Sequence, residues 1–196
     1  MISYFIIGSL LWALTTFLIY IKNKREFKIT RNLVSTTHAC GVIISSYLNL
    51  DNHYLYYWSV CYYITDAMYE IYTIRKIYNL GMLLHHIVTI GVLNYLLNPI
   101  TMSYMRTAFL LSEISNLPMY LVYHLKSNKF EQNIMLRLLI FVEAMGFLFL
   151  RLFWGGFILY EIIFINPLPI PMCISGTFIL IISLLWTIKL IKQVFN

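Results

Sequence analysis

Two adjacent histidines, His85 and His86, lie inside an apolar stretch of the sequence, and acidic residues lie inside the neighbouring apolar stretches. A neutral imidazole can take up a proton near neutral pH, and a carboxylate can orient the ring or stabilise its charged form. Adjacent residues on a helix point ~100° apart, so the two rings cannot share a metal ion as an i,i+4 pair can. We predict no metal site, and we expect one ring to contact a ligand while an acid holds the other.

Further ionisable side chains lie well inside apolar stretches. Each costs roughly 2.5–3.5 kcal/mol at the centre of a membrane helix, which is too much for a position facing lipid. They should therefore face one another or a polar cavity, although a structural hydrogen-bond network between helices is an open alternative. With the histidine pair, this set comprises His38, Asp66, Glu70, Arg106, Glu113, Glu143 and Arg151.

The spacing of these residues favours a shared interior. Asp66 and Glu70 are one helical turn apart and share a face. Four consecutive predicted helices carry an acid or a histidine at nearly the same depth, which predicts one polar layer. We assign His85, His86, Asp66 and Glu113 to a catalytic set, and we assign a cavity lining to His38, Tyr62, Tyr63, Asn116, Glu143 and Arg151.

The composition places these residues in a membrane protein. Of 196 residues, 60% are hydrophobic and only 11% are charged, whereas soluble domains average ~25% charged residues. This excludes an ordinary cytosolic domain and a disordered chain. A net charge of +6 would suggest nucleic acid in a soluble protein. Here the cations lie in loops, as the positive-inside rule expects, and we expect no nucleic-acid partner.

Seven apolar stretches are long enough to predict seven transmembrane helices, since a span takes ~20 residues. This leaves no room for a separate soluble catalytic domain. The sixth stretch is longer than a bilayer core and should tilt or bend near Gly155 and Gly156. The seventh should begin only after Pro167, Pro169 and Pro171. The cysteines should be small core residues. The predicted spans are 2–21, 33–50, 54–74, 77–97, 102–125, 134–165 and a last one ending near 190.

The loop cations predict the orientation of the chain. They fall in Lys22–Arg31, Arg75–Lys76, Lys126–Lys129 and the stretch from Lys189 to Lys192, and all of these lie on one side if there are seven spans. The connections on the other side carry no lysine or arginine. The N-terminus is therefore predicted to be lumenal and the C-terminus cytosolic.

Several short motifs, in order, resemble the TLC-domain family, which includes the ceramide synthases. Met82–Thr89 is similar to the His-His-x-x-Thr signature of the family, and Leu111–Asn116 is similar to the Thr-Glu-x-Ser segment of its small members. The other matching pieces are the Ser-x-x-His-Ala-like Val34–Ala39, the aspartate segment Ile64–Asp66 and Arg151 in the sixth span.

The resemblance implies a six-helix bundle, spans two to seven, around a lipid cavity, with an extra N-terminal helix. The corresponding domains are 1–29 for the first helix and basic loop, and 30–193 for the TLC domain. An endoplasmic-reticulum-type membrane is implied. In ceramide synthases the paired histidines transfer an acyl group from acyl-CoA to a long-chain amine. His85 or His86 would then act as base or relay nucleophile, with Asp66 as the orienting acid and Glu113 as a second acid.

One departure changes the expected function. Ceramide synthases carry His-Asp-x-x-Asp one span after the paired histidines, and this chain has Ser112–Asn116 there, which keeps one acid and matches the small TLC-domain proteins. We therefore expect non-enzymatic lipid binding or regulation of membrane lipid composition. The alternative is an acyl-CoA-dependent N-acyltransferase, with acyl-CoA and a long-chain amine as substrates. A third possibility is a proton-coupled transporter. We expect membrane lipids as partners and no cofactor, and the oligomeric state is left open.

Overall fold

A computed structural model describes residues 2–23, 26–73, 80–128, 134–165 and 168–195. These residues form helices and no strand. The chain divides into two compact units, Met1–Met102 and Ser103–Asn196, which are treated separately below. Some of the loop cations behind the predicted orientation, and one of the prolines, lie outside the described residues: Lys24, Arg25, Arg75, Lys76, Lys129 and Pro167.

The first unit is a group of four helices, and the third, α3 (Asn52–Thr73), is central. It is surrounded in the chain by α1 (Ile2–Lys22), α2 (Phe27–Tyr47) and α4 (Leu80–Leu93). Helix α1 packs against α2 and α3, and α3 also packs against α2 and α4. The last turn of the fourth helix tightens into a 3₁₀ segment, Asn94–Leu97.

Helix α2 ends in a Schellman motif, which sets up the turn into α3. Asn49 adopts a positive φ of 52°, a conformation that asparagine tolerates better than most residues. The Leu50 N–H donates to the carbonyl of Ser45, closing the motif. Asp51 then caps α3 by accepting a hydrogen bond from the backbone N–H of His53. That bond, together with one from the His53 ring, holds the pKa of the Asp51 carboxyl below its usual range.

Aromatic rings fill the contact between α1, α2 and α3. Trp12 is almost fully buried, and its Nε1–H donates to the carbonyl of Trp58 across 2.9 Å. The two indoles lie 4.5 Å apart between centroids, a distance typical of favourable aromatic pairs. Gly41 allows this approach, because a Cβ there would come within 2.6 Å of the Trp58 ring. The first helix is therefore an integral part of the first unit.

The second unit consists of α5, a long helix with two π-helical segments, and α8. The π segments are Phe147–Trp154 and Glu161–Ile165, and they lie on either side of the short helix α7. The backbone at Gly155 is α-helical, with φ −61° and ψ −39°, so the departures from α geometry flank the glycine pair. The α-helices are α5 (Met102–Ser127), α6 (Ile134–Gly146), α7 (Gly155–Tyr160) and α8 (Ile170–Phe195).

The apolar core of the second unit lies where α6 and the first π segment pack on α8. One cluster joins Val122, Leu136 and Ile140. A second joins Ala144, Phe147 and Leu190, and Trp186 packs against it. These clusters fix the inward-facing side of the long helix.

Among the residues that the structure describes, two helices are long and apolar enough to cross a membrane, judged by length and composition alone. They are Phe5–Lys22 and Ile170–Phe195, and Gly81–Leu97 is a shorter apolar helix. The helices near 33–50, 54–74 and 102–125 are present, and buried polar side chains lie within all three. Seven helical stretches are thus observed, and the count of seven transmembrane spans stays a prediction.

Three predicted details are wrong. Helix α2 begins at Phe27, so Arg31 lies in its second turn rather than in a loop. Helix α8 begins at Ile170, so Pro171 lies in its first turn, where no intrahelical N–H is needed. Among the cysteines, which are all free, Cys61 is buried, but Cys40 is exposed and is not a core residue. Cys173 is partly buried.

Candidate functional site

A buried ionic cluster in the first unit joins three helices. Arg31 of α2 reaches two carboxylates of α3: its Nη1 lies 2.6 Å from Glu70 Oε1, and its Nη2 lies 3.2 Å from Asp66 Oδ2. Its Nε also donates to the Asp66 carboxylate. The two acids follow one another at i,i+4, which puts both on the α3 face that meets α2. One guanidinium thus forms ion pairs with two carboxylates.

His86 of α4 completes this cluster. Its Nε2 lies 2.8 Å from Asp66 Oδ2 and 3.9 Å from Glu70 Oε2. The His86 side chain is 3% exposed, so water screens these contacts little. With Asp66 ionised, this close contact requires a proton on Nε2, which either the neutral tautomer or the imidazolium can supply. We call Arg31, Asp66, Glu70 and His86 the ionic cluster.

The two adjacent histidines have different surroundings. His86 is buried against the acids, whereas His85 is partly exposed and lies 5.7 Å from it between ring centroids. The Thr89 hydroxyl donates to the His85 carbonyl across 2.7 Å, a bond within α4. The geometry therefore gives the two rings separate positions, one beside Asp66 and one nearer the surface of the unit.

The ionic cluster is continuous with a stack of rings that contains the third histidine of the predicted set. His38 is buried and lies parallel to Tyr62, with 3.9 Å between centroids. Its Nε2 is 3.2 Å from Ser59 Oγ. Tyr63 lies between the two histidines, 5.3 Å from the ring of His38 and 5.3 Å from that of His86. In this structure the three rings thus pack against one another: His38, Tyr62 and Tyr63.

The other predicted residues come together in the second unit, around Arg151. Its Nε donates to Ser115 Oγ across 2.7 Å, and its Nη2 donates to Asn116 Oδ1 across 2.7 Å and to the Ser112 carbonyl across 3.0 Å. Asn116 in turn donates to Glu113 Oε2 across 3.2 Å. The first π segment presents Arg151 to this α5 surface.

Two aromatic rings pack against the guanidinium of the same arginine. The guanidinium carbon lies 4.4 Å from the Phe147 ring centroid and 6.0 Å from that of Trp186, within cation–π range. Glu143, Phe147 and Arg151 are all buried, so the stripe that their spacing predicts faces inward. The Arg151 network is thus a compact polar anchor between α5 and the long helix.

With both carboxylates ionised, the net charge of the ionic cluster depends on whether His86 carries one proton or two. Two ionised carboxylates and one guanidinium leave a single negative charge when the imidazole is neutral, and none when it is protonated. A buried uncompensated charge is expensive, so a proton or a cationic ligand is favoured there. The chemistry available is proton exchange at an imidazole and binding of a donor such as a hydroxyl or an amine.

Sequence reasoning missed the roles of Arg31 and Glu70. The sequence places Arg31 in a basic loop, and it places Glu70 among the ionisable residues inside apolar stretches but not in the predicted site. The signal that could have found the arginine is that acid pair itself, because two buried carboxylates on one face require a cation. Among the described residues no group of three histidine, cysteine or acidic side chains is arranged to hold a metal ion.

The comparisons with known proteins agree with the motifs. A family model described as the TLC domain matches residues 1–192, nearly the whole chain. No curated protein and no solved structure matches it. The matched region includes α1 and both units.

Proposed function

The chain belongs to the TLC-domain family, which indicates a membrane protein with a lipid-related function, and we propose that it binds the polar head of a membrane lipid at the ionic cluster. The single observation that carries this proposal is that Asp66, Glu70 and His86 are buried together in an apolar helical unit and that the partly exposed Arg31 pairs with both acids. Intramembrane ionisable groups of this kind are expensive and mark functional sites.

The position of the cluster along its helices suits a headgroup. Arg31 lies one turn from the start of α2, and Glu70 lies one turn from the end of α3. His86 lies less than two turns after the first described residue of α4. The charged group is therefore close to one end of these helices, where a lipid places its polar head while its chains extend along the apolar surfaces.

The charge of the cluster selects the ligand chemistry. A carboxylate pair that shares one guanidinium is best completed by a hydrogen-bond donor or a cation. A long-chain amine or a hydroxyl-bearing ceramide-like lipid supplies such groups. His85, which is partly exposed beside His86, is the side chain that we expect to contact the bound head.

A binding function without turnover is supported by the second unit. Ser112 and Asn116 occupy the positions at which ceramide synthases carry a histidine and a second acid. Here the Ser112 carbonyl and the Asn116 side chain accept hydrogen bonds from Arg151. This segment of α5 thus anchors the long helix, and Glu113 is the one acid left in it.

The second candidate function is acyl transfer from acyl-CoA to a long-chain amine. The observation that favours it is the 2.8 Å contact between His86 Nε2 and Asp66 Oδ2. An acid held against an imidazole can fix its tautomer and stabilise its charged form, which leaves the other ring nitrogen as the base. His85 could instead serve as the relay nucleophile.

One experiment separates the two functions. The full chain is purified in mild detergent, its co-purified lipids are identified by mass spectrometry, and it is incubated with labelled acyl-CoA and a panel of long-chain amines. We expect an amine- or hydroxyl-bearing lipid to co-purify and no labelled amide to form. In Asp66→Asn/Glu70→Gln we expect that lipid to fall at least tenfold, because the carboxylates that accept its donor are gone.

The matched control is Glu161→Gln, which removes an acid from the second unit. This variant should retain the lipid. Labelled amide that disappears in a His85→Ala/His86→Ala double variant would establish the acyltransferase instead. Equal lipid content in the wild type and the Asp66/Glu70 variant, with both proteins folded by circular dichroism, would disprove binding at the ionic cluster.

A further inference from the structure

A cavity of about 320 Å³ opens at one end of the second unit, where α5 ends, α6 begins and α8 ends. Three polar side chains from these three helices line it: Lys126, Arg137 and Gln193. Apolar side chains, among them Leu136, Ile140 and Val194, form the rest of its wall. The cavity shares no residue with the ionic cluster or with the Arg151 network.

The charge of the cavity favours an anion. Lys126 and Arg137 are both exposed, so their charges are available to a ligand. Glu143 interacts electrostatically with Lys126, but it is buried and does not line the cavity. Among the described residues, these two cations and one acid leave an excess positive charge, and Gln193 adds an amide that can donate hydrogen bonds. Guanidinium and ammonium groups together are typical of phosphate recognition.

The apolar wall distinguishes a lipid from a soluble anion. Leu136 and Ile140 belong to the core cluster with Val122, so the inner side of the cavity is continuous with packed hydrocarbon. Val194 packs against the same cluster. The volume is at the small end of the range for ligand sites, ~300–1,000 Å³, which fits a headgroup rather than a whole lipid. Helix α8, one of the two candidate membrane spans, ends at this cavity.

We propose that this cavity binds the phosphate group of an anionic phospholipid. Lys126 and Arg137 contact the phosphate oxygens, Gln193 donates to the headgroup, and the first methylene groups of the lipid lie against Leu136 and Ile140. The chemistry shared with a soluble anion is the phosphate, and the apolar wall selects the lipid. This proposal is independent of the function proposed at the ionic cluster.

The test measures lipid binding to the full chain after removal of co-purified lipid. The protein is titrated with short-chain phosphatidic acid or with phosphatidylcholine, and bound lipid is counted by native mass spectrometry. Phosphatidic acid should bind the wild type more tightly. The Lys126→Gln/Arg137→Gln variant should bind it about 30-fold more weakly, since each basic residue near a charged headgroup contributes about a factor of five.

A second double variant controls for total charge. Lys189→Gln/Lys192→Gln removes two exposed cations from α8 that do not line the cavity, and its affinity should change less than threefold. Lys126→Arg/Arg137→Lys, which keeps both positive charges, should bind phosphatidic acid about as tightly as the wild type does. Equal losses in the two glutamine variants would overturn the proposal, as would equal affinity for the two lipids. Inorganic phosphate that competes at concentrations comparable to phosphatidic acid would also overturn it, in favour of a soluble-anion site.

Discussion

Arg31 is the residue on which the ionic cluster depends, because its guanidinium contacts both carboxylates. The side chains of Asp66 and Glu70 are 3% and 1% exposed, whereas that of Arg31 is 26% exposed. The acids are therefore inside the helical unit and the arginine reaches them from its edge. Loss of the guanidinium would remove the cation that pairs with these two buried carboxylates.

Arg31→Gln should therefore destabilise the protein by about 3 kcal/mol, the low end of the range for removing one partner of a buried ion pair. The measurement is thermal unfolding in detergent, followed by circular dichroism. Lys22→Gln is the control, because Lys22 is an exposed cation at the end of α1. Arg31→Gln/Glu70→Gln should recover part of the loss, because it also removes one uncompensated acid. A melting temperature for Arg31→Gln equal to that of the control would contradict this role.

At the scale of the helices, apolar stretches of the sequence predicted where most helices lie, but they did not predict the residues at which the helices begin and end. Helix α2 starts six residues before its predicted start at 33. The polar residues before 33 suggested a loop, but tertiary contacts override this, since Thr30 is buried and Arg31 pairs with α3. Helical phase predicted that the adjacent histidines differ in environment. Which of them meets Asp66 depends on the rotation of α4, which the sequence does not encode locally.

The contact of α2 with α3 is the element-scale feature that holds Arg31 opposite its acids. Gly41 brings the helices close enough for the Trp58 ring to lie against the α2 backbone. Gly41→Ala would place a Cβ 2.6 Å from three atoms of that indole. Because Trp58 also contacts Trp12 and donates to the His38 carbonyl, the ring cannot move freely. We expect a loss of about 1–3 kcal/mol in thermal unfolding, as overpacking typically costs.

Gly91→Ala is the matched control for this substitution. A Cβ at Gly91 meets no atom within 4 Å, and the residue lies inside α4. Alanine there should leave the protein unchanged or stabilise it by up to ~1 kcal/mol through its higher helix propensity. If both alanine variants unfold at the same temperature, the close approach of α2 and α3 at Trp58 is wrong.

At the scale of the whole molecule, the sequence predicted one polar layer shared by four helices. Within the first unit, Asp66 and His86 meet. Within the second, Glu113 joins the Arg151 network through Asn116. A single chamber that unites these groups stays a prediction, as does the lumenal position of the N-terminus. The sequence predicts the positions of the helices better than their assembly for a general reason. The position of a helix follows from local hydropathy, whereas the assembly of helices depends on contacts between residues far apart in sequence.

The orientation of the chain can be tested at two helix ends. In the seven-span topology, His53 lies at a lumenal helix end and Asn128 at a cytosolic one, and both side chains are exposed. We expect His53→Cys to be protected from a membrane-impermeant maleimide in sealed vesicles whose cytosolic face is outward, until detergent opens them. Asn128→Cys should react at once. Cys40 and Cys173 are first replaced by serine, and buried Cys61 is kept. Immediate reaction at both positions would put residues 53 and 128 on the same side, and the seven-span count would fail.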